Sequence, residues 1–148
     1  MTVHEKSKAA RIVVGYDGSV DAERALEWAA QQAEMTSSRL ELVGAWEWPT
    51  GLGWMTIPPS DYDPTKEVST ALGETVTKVH LSHPGLHVIP HVIEGSPAIA
   101  LVEASRGATL LVVGTRGHGE IAGLVIGSVS QYCAAHAHCP VVVIRATK

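Results

Sequence analysis

A glycine loop with phosphate-binding chemistry follows an apolar segment in the second half of the chain. Gly114-Thr-Arg-Gly117 comes directly after the apolar residues 110–113, and nine residues separate Gly117 from Gly127-Ser128. Glycines let the backbone approach a ligand closely, and the amides they expose bind anions. A helix that starts at the end of such a loop adds unpaired N–H groups and the positive end of its dipole. This pattern predicts a nucleotide site.

The charges and polar residues around the loop indicate binding rather than turnover. Ser128 and Gln131 have the spacing of a capping box, which predicts a helix with Ser128 as its N-cap. Arg116 adds a positive charge. The chain has no G-x₄-G-K-[ST] loop and therefore lacks the phosphate-binding lysine of that class. Because hydrolysis needs a positioned base and usually a metal, we expect little or no turnover of a bound nucleotide.

The composition is typical of one globular domain that does not bind nucleic acid. The chain has 148 residues, 45% of them hydrophobic, and a formal net charge of -4, with its 11 lysines and arginines scattered. Residues 1–11 show no apolar signal-peptide segment, and no apolar run approaches the roughly 20 residues that cross a bilayer. We expect a cytoplasmic protein with no membrane partner. We also expect a single domain over residues 1–148, with a core at about 10–146 and a polar tail at 1–9.

Apolar segments and helical patterns alternate along the chain. Strands are predicted at residues 11–15, 40–45, 87–94, 109–114 and 140–145. Helices are predicted after Ser19, from about Thr65 to Leu81, from Pro97 and from Ser128. Such strands, separated by helices, predict a parallel sheet that is covered on both faces. Pro90 inside the third strand predicts an edge position or a bulge.

The position of the loops relative to the strands predicts a shared crevice. In open parallel sheets, ligands bind beyond the carboxyl ends of the strands, where the strand order reverses. Asp17 follows the first strand and Gly114 ends the fourth. If these two strands are neighbours, then Asp17, the strand end at residues 43–45 and the 114–130 loop line one crevice. The long 46–64 loop holds three of the four tryptophans and is predicted to be functional or mobile.

The turn after the first predicted strand and the glycine loop, together with their flanking residues, resemble the universal stress protein family. The similar segments are Ile12-Val-Val-Gly-Tyr-Asp17-Gly-Ser19, Val112-Val-Gly114-Thr-Arg-Gly117-His-Gly119, Gly127-Ser128-Val129-Ser130 and Cys139-Pro-Val-Val-Val-Ile144. The resemblance covers about residues 10–146. Its G-x₂-G-x₉-G-[ST] spacing resembles that of the ATP-binding branch, although Thr115 stands where a serine is common.

The resemblance implies a fold, a ligand and an assembly. The fold would be an α/β, Rossmann-like (HUP-type) domain with a five-stranded parallel sheet in the order 3-2-1-4-5 and helices on both faces. The protein would be a stress-response regulator that senses ATP, with or without Mg²⁺, and a homodimer paired through residues 141–145. Adenine would meet the backbone near Val43, and the Ser128 and Ser130 hydroxyls would donate to phosphates. The candidate binding residues are Gly15, Tyr16, Asp17, Val43, Gly114, Thr115, Arg116, Gly117, His118, Gly119, Gly127, Ser128, Val129 and Ser130.

Several alternatives stay open from the sequence. The protein could be a slow ATP-hydrolysing or adenylyl-transferring enzyme, a cyclic-nucleotide binder, or a dimeric interaction module without nucleotide. A phosphoryl-receiver domain fits poorly, because Asp17 has no adjacent acidic partner. Another alternative is a metal site, although its four candidate residues lack the spacing of a zinc finger: Cys133, His136, His138 and Cys139. His118 could touch phosphate or transfer a proton, but an exposed bystander is the favoured interpretation.

Overall fold

The computed structural model describes residues 10–47, 63–117 and 126–145. The strands are β1 (Arg11–Gly15), β2 (Arg39–Trp46), β3 (Val88–Glu94), β4 (Leu110–Gly114) and β5 (Val141–Ile144). The helices in these ranges are α1 (Val20–Thr36), α2 (Pro64–Ser82), α3 (Pro97–Ala104) and α4 (Ser128–His136). Every predicted strand and helix is present. The predicted tail at 1–9 and most of the 46–64 loop lie outside the described residues.

The strands form one parallel sheet in the order β3-β2-β1-β4-β5. This confirms the predicted fold class and the strand order that the family resemblance implies. It also makes β1 and β4 neighbours, which is the condition for a shared crevice. Within the described ranges β3 is an edge strand, so Pro90 occupies a position where a missing backbone N–H is tolerated.

Helices cover both faces of the sheet and build a hydrophobic core on each. Ile12 and Val14 of β1 face the core under α1 and α2, while Val13 faces the core under α3 and α4, as the alternation of strand side chains requires. On α1, a stripe of four alanines and one leucine packs against the sheet, all of them buried: Ala22, Ala25, Leu26, Ala29 and Ala33. This narrow stripe lets the start of α1 lie close to β1 and β4.

Serines cap two of the helices, whereas the serine predicted as the N-cap of α4 does not cap it. Ser19 accepts the N–H of Ala22 at 3.2 Å at the start of α1, and Ser96 caps α3 behind Pro97. At α4 the prediction is wrong, because Gly127 is the N-cap and Ser128 is the first helical residue. None of the helices in the described ranges is long and apolar enough to span a membrane.

A backbone hydrogen bond explains the shift at α4. The N–H of Gly127 donates to the carbonyl of Thr115 at 2.7 Å, which holds residue 127 extended (φ -77°, ψ 170°) immediately before the helix. The Gln131 side chain donates to the carbonyl of Ile126 at 3.3 Å and makes no capping box with Ser128. A tertiary contact from the end of β4 therefore sets the first residue of this helix.

Candidate nucleotide-binding crevice

A crevice opens at the carboxyl ends of β1, β2 and β4, where the strand order reverses. It encloses about 180 Å³, less than the roughly 300–1,000 Å³ of typical small-molecule sites, so a bound nucleotide would extend past its walls. The crevice is the predicted one and is lined by Gly15, Tyr16, Asp17, Ser19, Ala22, Val43, Ala45, Pro97, Leu101, Val113, Gly114, Arg116, Gly117, Val129 and Ser130.

Two glycines at strand ends allow helices to approach the crevice closely. A Cβ on Gly15 would lie 2.8 Å from Cδ1 of Leu101 in α3. A Cβ on Gly114 would lie 2.6 Å from Cβ of Asp21 and 2.8 Å from its carbonyl carbon, a backbone clash that a side-chain rotation cannot relieve. Gly114 is therefore needed where α1 packs on β4, whereas a side chain at Gly15 would have to displace the end of the Leu101 side chain.

The two loops of the site meet at Asp17 and Gly117. A Cβ on Gly117 would lie 2.5 Å from Oδ2 of Asp17, so the glycine brings its backbone against this carboxylate. The other carboxylate oxygen, Oδ1, accepts the N–H of Ser19 at 2.9 Å across the turn at Gly18, whose φ is +82°. At the neighbouring strand end, the N–H of Tyr16 donates to the carbonyl of Val43 at 2.9 Å. The carboxylate therefore sits at the junction of the first and fourth strand ends.

Several amides of the glycine loop already have partners within the protein. The N–H of Arg116 donates to Oδ2 of Asp21 at 2.9 Å. Thr115 donates to the carbonyl of Ile144 from its N–H at 2.8 Å and from its hydroxyl at 2.9 Å. The N–H of Gly127 is bonded to Thr115 as described above. Thr115 and Gly127, both predicted to bind nucleotide, do not line the crevice and instead join β4 to β5 and to α4.

The serines of α4 differ from the expected phosphate donors. Ser128 is exposed and does not line the crevice. Gly127 is the N-cap of α4, so Ser128 is the first helical residue instead of the predicted N-cap. The Ser130 hydroxyl lines the crevice but donates to the carbonyl of Gly114. The positive groups that the described walls offer to an anion are the first turn of α4 and the Arg116 side chain. His118 and Gly119 lie outside the described residues.

Tyr16 lines the crevice and bonds to a carboxylate of α1. Its hydroxyl donates to the Glu23 carboxylate of α1. Burial raises the pKa of Tyr16, and the hydrogen bond to Glu23 and that carboxylate's charge raise it further. The phenol therefore stays protonated at neutral pH.

The cysteines and histidines at the end of α4 do not form a metal site. Among the residues that the structure describes, no three His, Cys, Asp or Glu side chains are grouped so that they could hold a metal ion. Cys133 is fully buried, and burial raises its pKa to about 11. Its thiol is therefore a protonated side chain of the core.

A comparison with models of known protein families identifies the family of this chain. The model of the universal stress protein family matches residues 9–145. The chain belongs to the universal stress protein family. Among curated universal stress proteins, one from Thermus aquaticus is 35% identical over 143 residues, covering 90% of this chain and 97% of the relative.

Other curated universal stress proteins are longer. Rv2623 from Mycobacterium tuberculosis is 34% identical over 142 residues, covering 92% of this chain but 45% of the relative. The chain thus spans about half the length of several mycobacterial universal stress proteins that it matches.

Solved structures of universal stress proteins share the fold, and two contain nucleotides. One, a universal stress protein in complex with cAMP, has a TM-score of 0.67 and 28% identity, covering 91% of this chain and 95% of the other. Another, from Archaeoglobus fulgidus in complex with dAMP, has a TM-score of 0.65 and 26% identity, covering 91% and 97%.

The universal stress protein fold also brings residues to the crevice that the sequence reasoning missed. Pro97 and Leu101 supply apolar walls, and nothing in their local sequence marks them. Asp21 is 6% exposed and binds the loop at Arg116. The contact with residue 116 depends on the pairing of β1 with β4, which the local sequence around residue 21 does not show.

Proposed function

We propose that this chain binds an adenine nucleotide, ATP among them, in the crevice and acts as a nucleotide-dependent stress-response regulator with little or no turnover. The observation that carries the proposal is the meeting of Asp17 with the glycine loop at Gly117, where the strand order reverses. The related structures with cAMP and dAMP support an adenine nucleotide as the ligand. Assignment to the ATP-binding branch is part of this proposal.

The distribution of polar and apolar groups suggests how the ligand would lie. Val43, Ala45 and Leu101 form an apolar wall that suits a flat base. The first turn of α4 and the Arg116 side chain offer positive potential at the other side, which suits phosphate. The base would therefore lie toward β2 and the phosphate toward α4.

The residues of the crevice favour binding over hydrolysis. The raised pKa of Tyr16 makes it a poor base. Asp17 is the carboxylate on the crevice wall, so an accompanying Mg²⁺ ion would depend chiefly on the phosphates of the nucleotide. Regulation would require two states of the protein that differ in their affinity for the nucleotide. Binding would then shift the population toward the state with the higher affinity.

We also propose that the protein is a homodimer paired through β5. In the described residues β5 is an edge strand, and it consists of four half-buried apolar residues, Val141–Ile144. An apolar edge strand of this kind favours association, because its unpaired backbone groups can extend the sheet into a second chain.

The proposal can be tested by calorimetric titration of ATP with Mg²⁺ into ligand-stripped protein. We expect saturable binding to one site, lost in Gly117→Glu because the new carboxylate would fill the space beside Asp17. The matched control is Gly85→Glu, since a Cβ at Gly85 meets no atom within 4 Å. Absence of binding in the wild type, or equal binding in Gly117→Glu, would contradict nucleotide binding at this loop.

A second measurement addresses turnover. We expect no steady release of ADP or phosphate at protein concentrations far below that of ATP. Sustained product formation that disappears in Asp17→Asn would show that the protein is an enzyme.

A further inference from the structure

A second groove lies on the other side of α3 from the crevice. It encloses about 620 Å³, within the range of roughly 300–1,000 Å³ that is typical of small-molecule sites. Leu101 of α3 lines the crevice, whereas Ile99 and Ala100 line the groove. Because α3 packs over β1 and β2, the groove runs beside this helix along the face of β2 and β3.

One part of the groove is apolar. Val43 and Ile93 of the sheet line it together with Ile99 and Ala100. Ile99 is 56% exposed, so a ligand in the groove would cover apolar surface that water otherwise contacts. The backbone groups of β2 and β3 pair with each other across this floor and offer few partners to a peptide backbone. These walls therefore suit an apolar chain, which needs no hydrogen bonds.

A cluster of charged side chains lines the other part of the groove. Glu41 is 8% exposed, and its carboxylate lies between two arginines. Nη1 of Arg11 donates to Oε1 of Glu41 at 3.0 Å, and Nε of Arg39 donates to Oε2 at 3.1 Å. Two guanidinium groups against one carboxylate leave a surplus of one positive charge. His91, with Nε2 3.5 Å from Oε1 of Glu41, adds to this surplus when it is protonated.

Arg39 is the arginine of this cluster that is placed to bind a ligand. Arg11 also donates to the carbonyls of Ala104 and Arg106 at the end of α3, so its guanidinium is held by the protein. Within the described ranges, the guanidinium of Arg39 donates through Nε to Glu41, and the side chain is 32% exposed. Its two terminal nitrogens can therefore form the parallel hydrogen bonds with which arginine binds a carboxylate.

Acidic residues determine which way an anionic ligand would lie. Glu94 lines the groove at the carboxyl end of β3, away from Arg39 at the amino end of β2. Glu103 pairs with Arg106 at 3.1 Å on the exposed side of α3. An anionic group is therefore attracted to Arg39 and repelled from Glu94. Val43 lies four residues beyond Arg39, about 13 Å at the rise of a parallel strand, so an apolar chain would extend toward it.

We propose that the groove binds a small monocarboxylic acid with an unbranched apolar chain, with its carboxylate on Arg39 and its chain on Val43 and Ile99. One negative charge balances the surplus positive charge of the cluster, whereas a phosphate monoester would bring a second negative charge close to Glu41. The site goes beyond the proposed function, because its walls include neither Asp17 nor the glycine loop.

The test is a titration of ¹⁵N-labelled protein with octanoate, followed by the amide shifts in NMR spectra. We expect saturable shifts at residues 39, 91, 93 and 99. Acetate, which lacks the chain, and 1-octanol, which lacks the charge, should each bind at least about tenfold more weakly than octanoate. Octanol binding as tightly as octanoate, or shifts at these residues that do not saturate, would overturn the proposal.

Two variants separate the charge from the apolar contact. Arg39→Gln should weaken octanoate binding at least about tenfold. Ile99→Ser should weaken it about threefold or more, and this exposed position keeps the test valid if Arg39→Gln folds poorly. The matched controls are Arg24→Gln and Leu81→Ser, at exposed positions of the two helices that cover the opposite face of the sheet. Wild-type affinity in both Arg39→Gln and Ile99→Ser would show that the proposal is wrong.

Other occupants of the groove would give different results. Tighter binding of N-acetyl-leucyl-leucine than of octanoate would assign the groove to the carboxyl terminus of a peptide. Shifts at the groove residues that follow protein concentration, with no effect of octanoate, would assign it to a second copy of this chain. Either result would overturn the proposal of a small carboxylic acid.

Discussion

At the scale of single residues, the glycines of the candidate site serve the packing of the protein itself. Gly114 lies against the backbone of Asp21, and Gly117 lies against the carboxylate of Asp17. A glycine pattern selected for close approach between two protein segments looks the same in sequence as one selected for phosphate. The sequence therefore predicts the positions at which another group comes close to the backbone. The structure shows which segment of the protein lies at each of these positions.

His83 is a residue whose protonation should affect stability. It is buried at the end of α2, with Nδ1 2.8 Å from Oε1 of Glu34 and Nε2 3.4 Å from Oε2 of Glu27, both on α1. Nε2 has no hydrogen-bond partner, so Glu34 carries the stronger interaction. The hydrogen bond that His83 donates to the Glu34 carboxylate raises the pKa of His83, although burial alone would lower it.

The raised pKa of His83 predicts a pH dependence of the free energy of unfolding. Because the folded-state pKa lies above the unfolded value, protonated His83 stabilises the fold fully below about pH 6.5. This contribution should disappear as the pH rises through the folded-state pKa. Denaturation of wild type and His83→Gln at several pH values should therefore give a difference that is larger at acidic than at alkaline pH. His87→Gln, at an exposed histidine, is the control, and a difference for His83 that does not change with pH would contradict the prediction.

At the scale of elements, the serines at helix starts provide a test of capping. Ser19 is buried and caps α1, whereas Ser128 is the first helical residue of α4 and makes no cap. Ser19→Ala should lower the free energy of unfolding by about 1 kcal/mol, and Ser128→Ala should change it little. Urea denaturation of both variants measures this, and similar losses would show that Ser128 acts as a cap in solution.

The elements themselves could be predicted from the sequence because their signals are local. β1 occupies the predicted residues 11–15, and Ser96-Pro97 marks the start of α3. The start of α4 and the role of Asp21 could not be predicted, since both depend on hydrogen bonds between segments far apart in the chain. Residues 115 and 127 meet because β4 precedes the loop, and residues 21 and 116 meet because β1 pairs with β4.

At the scale of the whole molecule, the proposed dimer depends on the outer side of β5. The carbonyls of Pro140 and Ile144 accept hydrogen bonds from β4 and the residue after it, so in the alternating pattern of a strand Val143 directs its backbone groups to the open edge. Val143→Pro should remove one edge donor without breaking the β4–β5 pairing. We expect sedimentation to show a dimer for the wild type and a folded monomer for this variant. A dimeric variant, or a monomeric wild type, would argue against pairing through β5.

The two edges of the sheet are chemically unequal. His87 and Gly95, which flank β3, bond to Leu40 and Trp46 of β2. Pro90, an odd number of positions away from both, therefore faces outward with no N–H to offer. The outer side of β5 carries valine instead. Pairing at the outer side of β5 is therefore favoured over pairing at β3, where Pro90 interrupts the row of outward donors. Self-association that uses β5 alone would end as a closed pair, because each molecule contributes one such edge.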